Sequence, residues 1–211
     1  MPDRWDLIGG AACLIGAAGA ATSLLRGSVD PLIPIIFGNL LLTSMTWFAW
    51  FGLRIFYRRN VPWLFGITCA VVTVAVLAVF SVWEDIIAAR VVSFSIGQAF
   101  PATLILAEII YHRRGRHYGA DLAIGALGVV LLLCATRAVA VLAEIGGPIS
   151  LREFNAVQGG ILILLVYATM VDNFGFLLLT VDRLREDVAT LALPDDLTGV
   201  ANRRHLLKRL A

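Results

Sequence analysis

Few residues in this chain are equipped for chemistry, and most of those lie where charge is expensive. Five ionisable residues share one level. Glu84 and Asp85 occupy a two-residue connection, Arg90 lies four residues into the next apolar stretch, Arg137 is near the end of another, and Glu144 comes just after it. Ionisable groups at such depth point to function by default. Together they would make a polar pocket for a small ligand, an anion held between two guanidinium groups. Snorkelling and structural ion pairs between neighbouring helices account for the same residues without a ligand. Asp85 and Arg90 are five apart, so pairing across helices is expected rather than along one.

Other candidates are weaker. Asp172 and Asn173 lie inside the last apolar stretch, where they would either couple helix motion to the tail or hydrogen-bond within a bundle. Pro101 removes a backbone bond and predicts a kink, and Gln98 would satisfy a freed carbonyl or a neighbouring helix. The run YHRRGRHYG (Tyr111–Gly119) contains His112 and His117 without Cys or carboxylate ligands nearby. That is a poor metal site, and a basic loop facing anionic lipid explains it better. Cys13, Cys69 and Cys134 each sit alone in apolar sequence, which supports neither a disulfide framework nor a metal site.

Composition dictates the kind of scaffold that carries these residues. Of 211 residues, 59% are apolar and 15% charged, against about 45–50% and about 25% in soluble domains. So little polar surface cannot cover such a core in water, which excludes a soluble and a disordered protein alike. A bilayer core needs roughly 20 mostly apolar residues per helix. Leu7–Leu25, Pro31–Leu53 and Val61–Trp83 meet this without charge. Ile86–Tyr111, Leu122–Ala143 and Phe154–Val181 meet it with few charges. The expected fold is all-α: a polytopic membrane protein of six transmembrane helices (1–181), continued by a cytoplasmic coiled-coil signalling helix (182–193).

Nine arginines (Arg4, Arg54, Arg58, Arg59, Arg113, Arg114, Arg116, Arg183, Arg185) fall on one side of these spans, and Arg26 and Arg152 on the other. The positive-inside rule then places both termini in the cytoplasm. Trp5, Trp63, Tyr111, Tyr118 and Trp83 fall at the interfaces as an aromatic belt. The first span is the weakest. Its Ala18–Ala20 or Ala20–Thr22 resembles a signal-peptidase site, but Asp3 and Asp6 spoil the positive leader. Ala12, Gly16 and Ala20 instead predict a close helix-packing face on a retained helix.

The tail carries the clearest pattern. Met170, Phe174, Leu177, Val181, Leu184, Val188 and Leu191 are spaced 4,3,4,3,4,3, an a/d seam over three heptads. Leu184, Val188 and Leu191 are the telling members, because charged residues surround them. The last helix is expected to run on as a parallel coiled coil between two copies, the alternative being a single amphipathic helix lying on the bundle. Pro194 ends it. The next ten residues are Asp195, Asp196, Leu197, Thr198, Gly199, Val200, Ala201, Asn202, Arg203 and Arg204. They read as a polar turn and the start of a basic amphipathic helix.

This D-x-L-T-G-x-x-N-R-R run, at Asp195, Leu197, Thr198, Gly199, Asn202, Arg203 and Arg204, resembles the opening of the GGDEF domain of bacterial diguanylate cyclases. Family members usually have proline where this chain has Asp196. The resemblance covers residues 194–211, and more loosely the membrane region before them. It implies an intact parent that condenses two GTP molecules into cyclic di-GMP across a homodimer, using carboxylate-bound Mg²⁺ and a GG[DE]EF loop. None of that machinery is in these residues. The pairs Gly9–Gly10, Gly146–Gly147 and Gly159–Gly160 do not run on into Asp/Glu-Glu-Phe.

The expectation is therefore a membrane sensory and dimerisation module, with no catalytic, cofactor-binding or metal residue of its own and no nucleic-acid partner. Its partners would be the bilayer, a second copy and an unidentified small ligand. A small six-helix transporter or channel and a non-catalytic remnant stay open as alternatives. A histidine-kinase sensor is disfavoured because the only tail histidine is His205.

Overall fold

In the computed structural model, residues 4–25, 28–30, 32–82, 86–113, 118–147 and 155–191 are described. They form six helices: α1 (Arg4–Leu24), α2 (Leu32–Phe56), α3 (Trp63–Val82), α4 (Ile87–His112), α5 (Tyr118–Leu142) and α6 (Ala156–Leu191). Helices α2 to α6 are each long and apolar enough to cross a bilayer, whereas the apolar part of α1 covers only Leu7–Ser23. The chain is a polytopic all-α membrane protein. Large apolar side chains such as Leu64, Leu132 and Val166 stand exposed on its sides, which suits a lipid solvent and not water.

Helix ends are set by local chemistry. Asp30 accepts a bond from Leu32 N (2.9 Å) at the head of α2, and Asn155 accepts one from Gln158 N (2.8 Å) at the head of α6, both as N-caps. The Asn155 amide also donates to the Ile145 and Gly147 carbonyls at 3.2 and 2.9 Å, stapling the α5 exit to the α6 entry. At the far end of α2, Arg59 N bonds Arg54 O and Arg58 N bonds Ile55 O, with Arg58 at φ 55°. The same pair of bonds closes α5: Ile145 N to Ala140 O and Glu144 N to Val141 O, with Glu144 at φ 52°. Both are Schellman caps whose left-handed position, usually glycine, holds a charged residue.

Packing keeps to chain order. Helix α1 lies on α2, helices α2, α3 and α4 contact one another, α5 lies on α4, and α6 lies on α5. The core centres on Trp47, Trp50 and Phe51 of α2. Trp47 meets Trp50 edge-on at 5.7 Å and reaches Phe65 and Phe100 at 5.9 Å each, near the favoured aromatic separations. Pro101 is fully buried within an uninterrupted α4. Gln98 accepts a hydrogen bond from Thr46 of α2, so it serves the neighbouring helix. On α1 the small residues Ala12 and Gly16 are buried, while Ala20 is exposed and Gly19 is buried in its place. The 4,3 spacing keeps to one stripe where the expected 4,4 spacing drifts off it.

Candidate functional site

The site is α6 and the contacts that hold it. A 36-residue helix is about 54 Å long, more than a bilayer core requires, and it continues past the apolar segment Ala156–Arg185. Its buried residues are Gln158, Ile161, Ala168, Asp172, Gly175 and Leu179, a 3,4-spaced stripe facing α5. Gly175 makes the close approach possible: a Cβ there would lie 2.8 Å from Ala123 N, and one at Gly119 would collide with the Leu179 backbone. Small residues at such a crossing let dispersion contacts form where lipid offers no hydrophobic drive.

The expected seam lies on the opposite face, because a two-residue offset from the buried stripe is a rotation of about 200°. Met170, Phe174, Leu177, Leu184 and Val188 are all more than half exposed. Val181 is half-buried, and Leu191 ends the helix, its side chain lying outside the described residues. Helix α6 thus has two heptad faces, one taken up by its own bundle and one left outward.

Each end of the buried stripe is anchored. At the end where α6 begins, Arg137 Nε donates to Gln158 Oε1 and Gln158 Nε2 donates back to Arg137 O, both at 3.3 Å. The Arg137 guanidinium also lies over Phe94 at 5.5 Å. Arg90, buried on α4, is one turn from Phe94 and so borders the same region. The two arginines of the expected pocket are therefore brought to neighbouring levels, and Arg137 is engaged in helix–helix anchoring. Glu144 is exposed, and its backbone forms the left-handed cap of α5. Glu84 and Asp85 lie outside the described residues.

At the other, Arg-rich end, two adjacent residues grip two helix termini. Asp182 Oδ2 accepts from Gly119 N (3.4 Å) in the first turn of α5. Arg183 donates to Phe56 O, the last residue of α2, and stacks on the Phe56 ring at 4.7 Å. A carboxylate at a helix N-terminus and a guanidinium at a C-terminus both match the helix dipole. Nearby, Glu108 of α4 gathers Arg54 (3.5 Å), Arg59 (3.8 Å) and His112 (3.7 Å), with Tyr57 stacked on His112 at 4.4 Å. Burial, then the Glu108 carboxylate, hold the Tyr57 phenol above its ordinary pKa, while Arg183 pulls it the other way. Phe56, under Arg183, also meets Tyr57 edge-on at 5.1 Å, so the Glu108 cluster and the Arg183 clamp adjoin as one collar at the α6 exit.

Midway along the stripe, Asp172 is buried with Oδ1 lacking a hydrogen-bond partner. Asn173 is exposed beside it. Trp63, Tyr111 and Tyr118 are exposed at the Arg-rich end as an interfacial belt requires, while His117, Trp83 and Asp195–Arg204 lie outside the described residues. Among the described residues no group of His, Cys, Asp and Glu is placed to hold a metal ion. Asn155, Gln158, Glu108 and the Asp182–Arg183 pair did not stand out as site residues in the sequence. An Asn, a favoured N-cap, just ahead of the last apolar run is the one sequence signal that could have found Asn155. Comparison with protein-family models, curated proteins and solved structures gave no match.

Proposed function

We propose that this chain is the membrane sensory and dimerisation module of a bacterial signalling protein, whose last membrane helix drives a cytoplasmic output domain. The resemblance at Asp195–Arg204 makes that output a GGDEF domain, and the intact protein an inner-membrane diguanylate cyclase with both termini in the cytoplasm. One observation carries the reading: α6 holds its bundle with one heptad face and turns the opposite heptad face outward, in a single helix reaching beyond the apolar segment. A parallel pairing of two copies along Met170–Leu191 would bury the outward face. A signal that shifts α5 against α6 would then rotate or translate both output domains together.

The test uses the intact protein, once its gene has been read through codon 211 for an in-frame GG[DE]EF segment. One residue inserted after Asp187 turns everything beyond it by about 100°, and a seven-residue insertion restores the heptad phase. The single insertion is expected to change cyclic di-GMP output and the seven-residue insertion to restore it. Val188→Cys is expected to form a disulfide-linked dimer under mild oxidation. Output indifferent to both insertions, with no crosslink at position 188, overturns the proposal.

A further inference from the structure

A cleft of about 280 Å³ opens between α1, α2 and α6. Helices α1 and α6 do not pack on each other, and α6 reaches α2 through the contact of Arg183 with Phe56, so the cleft has two separate walls. Gly10 and Cys13 of α1, Ala49 and Phe56 of α2, and Phe176 and Thr180 of α6 are among its lining residues. It is mostly apolar, with Asn173 and Thr180 of α6 as its polar lining, and lies toward the Arg-rich end of the bundle. An apolar cleft at bilayer depth gains dispersion contacts only from something apolar that enters it, and an acyl chain is the ready occupant.

The rim adds a charge. Arg183 stacks on Phe56, a wall residue, and stands one turn beyond Thr180, another. One guanidinium N–H is spent on the Phe56 carbonyl, and the others meet no acceptor among the described residues. An arginine carries five such donors in a fork suited to phosphate. Arg58 and Arg185 are exposed at the same end, and Asp182, the neighbouring carboxylate, is directed to Gly119.

We infer that the cleft is a binding site for an anionic phospholipid, with one acyl chain between α1 and α6 and the phosphate on Arg183. Charge complementarity at the rim favours this occupant over a second copy of the chain. The outward seam of α6 offers a second copy a different face, and the apolar walls alone do not distinguish headgroups. Such a lipid would bridge α6 to α1, which otherwise lack contact, so the bundle's hold on α6 would depend on membrane composition.

The test is native mass spectrometry of the intact chain, delipidated in detergent and titrated with phosphatidylglycerol or with phosphatidylcholine of the same acyl chains. One phosphatidylglycerol per chain is expected to bind about fivefold more tightly than phosphatidylcholine, the worth of one arginine at an anionic surface. Arg183→Gln is expected to erase that preference and Arg183→Lys to keep most of it. Gly10 lines the cleft and a Cβ there meets nothing within 4 Å, so Gly10→Phe places a ring at the cleft wall and is expected to abolish binding of both lipids. Circular dichroism confirms the helices of each variant. Equal affinity for the two lipids, a preference that survives Arg183→Gln, or binding that survives Gly10→Phe overturns the proposal. So does a lipid-free dimer that Gly10→Phe dissociates.

Discussion

Replacing Arg183 by alanine tests whether the collar holds the exiting helix. The side chain makes two identified contacts, a hydrogen bond to the terminal carbonyl of α2 and a stack on Phe56. A charge-assisted hydrogen bond contributes about 1.5–3 kcal/mol, and a cation–π contact at an open site about 0.5–1 kcal/mol. The favourable end of the α2 dipole adds about 0.3–1 kcal/mol. Arg183 is half-buried, so solvent screening pulls the sum toward the low end, to about 2 kcal/mol. The loss is local, because Asp182 still holds the α5 side. Hydrogen exchange of the peptides covering 180–191, measured on the chain in lipid nanodiscs, reads the opening of this segment directly. A loss of about 2 kcal/mol corresponds to about 30-fold faster exchange there, with no change around Trp47 and Trp50. Arg183→Gln, which keeps a donor but loses the charge, is expected to fall between alanine and the parent. Exchange that changes less than about threefold in Arg183→Ala, or that rises equally in the aromatic core, refutes the local clamp.

Local geometry sets two further outcomes. Glu144→Gly is expected to raise stability by about 1 kcal/mol in detergent unfolding, since the left-handed φ that closes α5 costs an L-residue about 1–2 kcal/mol and glycine almost nothing; unchanged or lower stability would contradict the cap assignment. Tyr57 holds its proton more tightly in the folded protein than an ordinary tyrosine does. Its contribution is therefore full below about pH 10, the unfolded value, and is lost as pH climbs through the higher folded value. Tyr57→Phe is expected to flatten the alkaline fall of the melting temperature, and an identical fall in the variant would assign it to other groups.

How much of this was legible in the residues varies from element to element. The 4,3 spacing along α6 was legible, because a helix presents positions 3 and 4 apart on one face wherever it sits; which face points outward was not. The buried stripe of α6 was written in the same spacing but masked by composition. In an apolar span nearly every register looks like a seam, and only burial distinguishes Gly175 from Leu177. Glu144 stands out in the sequence by its charge and level, while its left-handed cap just past the end of α5 shows only in the backbone.

The solvent and the secondary structure are dictated by the residues alone. A chain so poor in charge must enter lipid, and backbone groups in lipid must be satisfied within helices. The heptad spacing along α6 is local in the same way. The roles of Asp182 and Arg183 are not, and they emerge only when the helices pack. Their partners Gly119 and Phe56 are 63 and 127 residues away, on helices whose ends converge because α5 packs on α4 and α4 on α2. Helical periodicity is a local property, fixed by 3.6 residues per turn, and can be read along one segment. Which helix ends meet depends on the packing of whole faces against one another, and in this chain that packing turns two neighbouring charges at a membrane boundary into a clamp.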